Sequence, residues 1–152
     1  MKFKEKQYRK MDIHNIITQL NSVNPNNDTL YEVDDIISEL YSMEKSERKK
    51  AIPAMFGIFE RLNDNHYDSV LWSVLHAIEG LTDYENELIQ SIERKPNEFN
   101  LLMVNRILNS GQTVFKDCNY IILLEKLLLD RNLNQNLNED LKGYLEKHKG
   151  LK

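Results

Sequence analysis

Cysteine is almost missing from this chain. Cys118 stands alone among 152 residues, so no internal disulfide forms and nothing calls for an oxidising compartment. Glycine and proline are scarce as well, five and three, which excludes collagen-like and low-complexity chains. The glycines fall singly, so there is no Gly-rich loop to cradle a phosphate. Long apolar runs are absent too. The longest, Tyr120 to Leu124, is far short of the roughly 18 residues of a membrane-spanning helix. Nor is there an excess of positive charge: 20 Lys and Arg face 24 Asp and Glu, for a net charge of -4. Phosphate neutralisation needs clustered cations, so that balance argues against nucleic-acid binding and leaves a basic protein partner open.

What is present is a core. Hydrophobic residues make up 41% of the chain, enough for one globular domain of this length. The opening segment, residues 1–10, is basic and has no apolar stretch behind it, so it reads as a flexible tail rather than a signal peptide. The expectation is a cytoplasmic, monomeric protein with a single all-helical domain over 11–152.

Apolar residues recur at steps of three and four almost throughout, and strict alternation is missing. The spacing predicts helices over about 11–20, 29–42, 46–62, 66–79, 82–95, 98–109, 120–130 and a last one to about His148. Thr29-x-x-Glu32 and Thr82-x-x-Glu85 fit capping boxes. Pro53 inside the third stretch predicts a kink or a restart at Ile52. Asn97 fits an N-cap, and 112–119 reads as an irregular connection. Pairing the helices gives units of about 35–40 residues, the range of HEAT-like α-solenoids. The predicted class is therefore all-α, with stacked helix hairpins, or else a compact irregular bundle sharing the same local signals.

Enzyme and metal signatures are missing. His14, His66, His76 and His148 are far apart, and no His pair has zinc spacing. Cys118 has Lys116 nearby, but Asp117 opposes it, so an activated thiol is not indicated. Acidic residues are plentiful without forming a recognisable catalytic pair. The reading is a protein without catalytic residues, metal or cofactor.

Three helix faces are not accounted for by a core. In the helix over 29–42, Val33, Ile36, Ile37 and Leu40 share one side, and Glu32, Asp35 and Glu39 gather opposite, with Asp34 on the flank. Such a stripe is either a solvated face or a surface for a basic partner. In the helix over 66–79, Tyr67, Val70, Leu71, Val74, Leu75 and Ile78 form the apolar side. Trp72 lies on the other side near Asp68, His76 and Glu79, with Asp83 just beyond. A large aromatic among acids is the composition of a binding hot spot. The alternative is packing of Trp72 against a further helix pair. In the helix over 98–109, Asn105, Arg106 and Asn109 either cap neighbouring backbone or meet a partner. In a solenoid these three helices would line one common side.

Four segments resemble a family of bacterial immunity proteins, the partners of polymorphic and contact-dependent growth-inhibition toxins. They are Leu71 to Glu79, Tyr84 to Leu88, Lys95 to Glu98 and Met103 to Gly111, within a similarity over about 53–129. The resemblance implies an all-helical, often HEAT-like protein that binds one cognate toxin domain, commonly a nuclease, and blocks its active site or substrate access. It carries over no catalytic residue. Side chains that touch the toxin are expected to differ between pairs, so the candidate contacts come from the faces above: Glu32, Asp35, Glu39, Asp68, Trp72, His76, Glu79, Asp83, Asn105 and Asn109. The other functional reading of the same pattern is an α-solenoid adaptor for a cellular protein.

Overall fold

The structure, a computed structural model, describes residues 11–25, 32–62 and 68–150, without the side chain of Asp68. The basic opening segment, the box at Thr29, His66 and Tyr67 lie outside the described residues. About 73% of what is described is helical, so the chain is all-α. It divides into two compact units, Met1–Tyr84 and Glu85–Lys152.

The first unit holds α1 (Ile13–Asn21), α2 (Val33–Tyr41), the short α3 (Lys45–Arg48), a 3-10 turn (Lys49–Ala51), α4 (Ile52–Arg61) and α5 (Asp68–Glu79). The Asp12 carboxylate starts α1 by accepting from the Asn15 N–H at 2.8 Å, satisfying one of the donors that every helix start leaves over. In α2 the buried residues are Val33, Ile36, Ile37 and Leu40, the side chains that the spacing puts on one face. Pro53 falls in the first turn of α4, where its missing N–H would have no helical partner anyway. The chain thus restarts at Ile52, after the 3-10 turn, as the proline predicts.

Helix α1 packs on α2 and α4, α2 packs on α5, and α4 packs on α5. First helix lies on first helix and second on second, which is how hairpins stack. The interior holds fully buried Ile16, Leu20, Ile36, Leu40, Met55 and Phe56. The Phe56 and Phe59 rings meet edge to face, with centroids 5.9 Å apart.

The second unit holds α6 (Glu85–Arg94), α7 (Glu98–Asn109), strands β1 (Val114–Phe115) and β2 (Cys118–Asn119), α8 (Tyr120–Leu128) and α9 (Gln135–Lys149). Helix α7 packs on α6 and α9, and α8 on α9. Asn97 caps α7 as the sequence suggests. Its Oδ1 accepts from the N–H groups of Phe99 and Asn100 at 3.1 and 3.0 Å. Asn100 returns the bond, its Oδ1 accepting from the Asn97 N–H at 2.9 Å, so asparagine here takes the usual place of Glu or Gln in the box. The Asn100 amide nitrogen donates to Ser91 Oγ and to the Lys95 carbonyl. Ser91, Asn97 and Asn100 are all buried, and this network ties the end of α6 to the start of α7.

Two expectations are corrected. The box at Thr82 does not form, because α6 begins at Glu85, two residues later than such a cap requires. Asp83 interrupts with φ 66°, a left-handed conformation that Asp tolerates better than most residues. The connection over 112–119 is not irregular but holds an antiparallel hairpin, with Val114 opposite Asn119 and Phe115 opposite Cys118. Its two-residue turn is permitted by Lys116 at φ 52°, since tight hairpin turns need a positive φ.

Candidate functional site

Helix α5 separates its two sides sharply. Leu71, Val74, Leu75, Ala77 and Ile78 are buried, whereas Trp72 keeps 37% of its surface exposed. The Trp72 indole leans on the His76 imidazole, with centroids 5.7 Å apart and planes 33° apart. Helical spacing puts Glu79, half-buried, on the same flank as Trp72, and Asp68 opens the helix one turn earlier.

Because α2 packs beside α5, the two exposed flanks form a shallow groove of about 370 Å³. Asp34, Ile37, Ser38 and Tyr41 line it from α2, Ser73 and His76 from α5. Tyr41 is half exposed, and the Arg48 guanidinium stands 6.0 Å from its ring centroid, at the outer limit of a cation–π contact.

The structure brings some of the candidate residues together and separates others. Trp72, His76 and Glu79 share one flank. Glu32 and Asp35 are exposed and Glu39 is half-buried, but these three lie roughly a third to half a turn from the groove side of α2. The acidic residue that lines the groove is Asp34. Asp83 is exposed and paired to Lys49 at 3.1 Å, an exposed pair that contributes little stability. Asn105 and Asn109 belong to the second unit. Asn109 is exposed. Asn105 is 9% exposed, and its Oδ1 lies 2.7 Å from His148 Nε2, so it is engaged within its own unit.

Ser38, Tyr41 and Ser73 are the groove residues that the sequence reading passed over. The signal was there: Asp34, Ser38 and Tyr41 follow a step of four and then three, one polar stripe beside the apolar one.

A second cavity, about 830 Å³, opens where the start of α1 meets α3, and mixes Asp12, Glu44 and Glu47 with Lys45, Arg48 and Lys50. Its charges oppose one another, so it favours neither sign of ligand. Cys118 is half-buried. Burial first, then Glu93, pushes its thiol up, against the smaller pull of Lys126, and a protonated thiol is a poor nucleophile. Among the described residues no group of three or more His, Cys, Asp or Glu is placed to hold a metal ion. Among them, too, no helix is long and apolar enough to cross a membrane.

These features define an all-α helical protein whose first unit stacks its hairpins and carries an aromatic and acidic groove. No protein-family model, curated protein or solved structure matches the chain.

Proposed function

We propose that this chain is a cytoplasmic immunity protein that binds a cognate bacterial toxin domain, a basic nuclease, and neutralises it by blocking its active site or substrate access. The observation that carries the reading is Trp72, exposed on the flank of a helix whose opposite side is core. A large exposed aromatic beside acidic side chains supplies contact area and steering at once. The net charge of -4 supports a basic partner, because complementary charge speeds encounter before a toxin acts. The resemblance of Leu71–Glu79 and Met103–Gly111 to immunity proteins supports the same reading. The protein then acts by occupancy, one molecule per toxin, without turnover.

The test is a pull-down with the product of the adjacent gene, paired with survival of cells that express that product. Capture with protection bears the reading out. Capture of a housekeeping protein without any protection favours the adaptor reading instead.

A further inference from the structure

We infer that the groove between α2 and α5 is a receptor for one arginine side chain of the protein partner. The inference rests on the docking reading above and adds which chemical group enters.

The groove offers more acceptors than donors: the Tyr41 hydroxyl and a His76 ring nitrogen can donate, whereas Asp34 and the two serines present acceptors. Ser38 Oγ donates to the Asp34 carbonyl at 3.0 Å, and Ser73 Oγ donates to the Ser69 carbonyl at 3.1 Å. Each hydroxyl has one proton. With that proton turned back onto its own helix, each serine offers the groove only lone pairs. The Asp34 carboxylate likewise only accepts. Neither Lys nor Arg lines this groove among the described residues. A guanidinium is the complement, with five N–H donors, no acceptor and a fixed positive charge.

The walls agree. Ile37 is a buried part of the lining and Tyr41 offers a half-exposed ring. The chain's own Arg48, which does not line the groove, already stands 6.0 Å from that ring's centroid, so an entering guanidinium has the remaining face to stack on. A guanidinium plane stacks on such a ring while its edge reaches a carboxylate. An anionic or acceptor-rich group would face Asp34 and two sets of serine lone pairs. Lysine would satisfy the charge but not the planar stacking.

Trp72 makes the test direct, since it is the single tryptophan of the chain and touches His76, a residue of the groove. The full chain is titrated with hexa-arginine, hexa-lysine and hexa-glutamate at low salt, following Trp72 fluorescence and the backbone amide shifts of residues 34–41. Hexa-arginine is expected to move both, hexa-lysine to bind more weakly, and hexa-glutamate to do nothing. Asp34→Asn should weaken hexa-arginine about tenfold, the scale of one charge-assisted hydrogen bond. Asp35→Asn removes the same charge from the other flank and should change it less than about twofold. Equal losses in the two variants would reduce the effect to net charge and overturn the inference, as would equal binding of lysine or glutamate. If the toxin is captured while hexa-arginine leaves Trp72 unmoved, the arginine receptor falls and the docking reading stands. If hexa-arginine binds through Asp34 but no toxin is captured, the reverse holds.

Discussion

Arg61 reaches back to Val23. Its Nε donates to the Val23 carbonyl at 2.7 Å, and its Nη2 donates to the Leu20 carbonyl at 2.8 Å. One side chain from the end of α4 thus closes the C-terminal end of α1, where carbonyls lack helical partners and the macrodipole is negative. Burial lowers the Arg61 pKa, with Glu60 opposing, but a guanidinium stays charged in spite of it.

Arg61→Ala should therefore destabilise the chain by about 1.5–3 kcal/mol, the range for hydrogen bonds to a charged group. Gly57 shares the site: a Cβ there would meet Arg61 Nη1 at 2.9 Å. Gly57→Ala should gain nothing in the native chain, because its helix-propensity advantage of about 0.8–1 kcal/mol is offset by displacing the guanidinium. In the Arg61→Ala background the same change should stabilise. Urea denaturation of the four proteins of this cycle measures both effects, and a Gly57→Ala gain of equal size in both backgrounds would break the coupling.

Trp72→Ala should separate binding from folding. The side chain is 37% exposed, so the melting temperature should move by only a few degrees. On the proposed function, affinity for the toxin should fall by about 2–4 kcal/mol, the scale for truncating an interface aromatic. Glu79→Gln should act mainly on the association rate and weaken its salt dependence. Full affinity in Trp72→Ala would remove α5 from the interface.

Asn100→Ala should be among the costlier single changes in the second unit. It strips the Asn97 N–H of its acceptor and leaves Ser91 Oγ and the Lys95 carbonyl without a donor they now use. Orphaned buried polar groups cost about 1–3 kcal/mol each, so a loss of at least about 2 kcal/mol is expected in chemical denaturation. A change under about 0.5 kcal/mol would show that the network contributes nothing.

Alkaline pH should destabilise the second unit through Tyr144. Burial, followed by Asp140 and Glu98, pushes its phenol from the ordinary 10.0 up to about 12. The folded state holds this proton more tightly than the unfolded chain does. Its contribution is therefore complete below about pH 10 and is lost as pH climbs toward 12. Ultraviolet titration should find Tyr144 ionising late, as a late component that Tyr144→Phe removes. Tyr144→Phe should flatten the fall in melting temperature over that interval.

The sequence revealed those parts of the fold that are written within a single helix. The apolar side of α2, the cap at Asn97, the restart forced by Pro53 and the outward side of Trp72 all follow from spacing a few residues long. What it did not reveal depends on neighbours. Glu32, Asp35 and Glu39 form the more obvious acidic stripe, yet the packing of α5 decides that Asp34 lines the groove instead. Asn105 looked available, but its partner His148 is 43 residues away. The hairpin at Val114 and the lost box at Thr82 each turn on one non-glycine residue at positive φ, Lys116 and Asp83, a choice that leaves little mark on composition.

The reciprocal asparagines at the head of α7 have a consequence for how the molecule breathes. The first amides of a helix normally trade their hydrogens with water fastest, since nothing inside the helix holds them. In α7 the Phe99 and Asn100 amides are held by a buried Asn97 oxygen, and the Leu101 amide by the Asn97 carbonyl. At the head of α2, Glu32 makes no side-chain bond of this kind. Deuterium should therefore enter α2 from its front end within the fraying of one turn. In α7 the leading turn should stay protonated until α6 and α7 part together, so that its isotope pattern reports the opening of a helix pair rather than the loosening of an end.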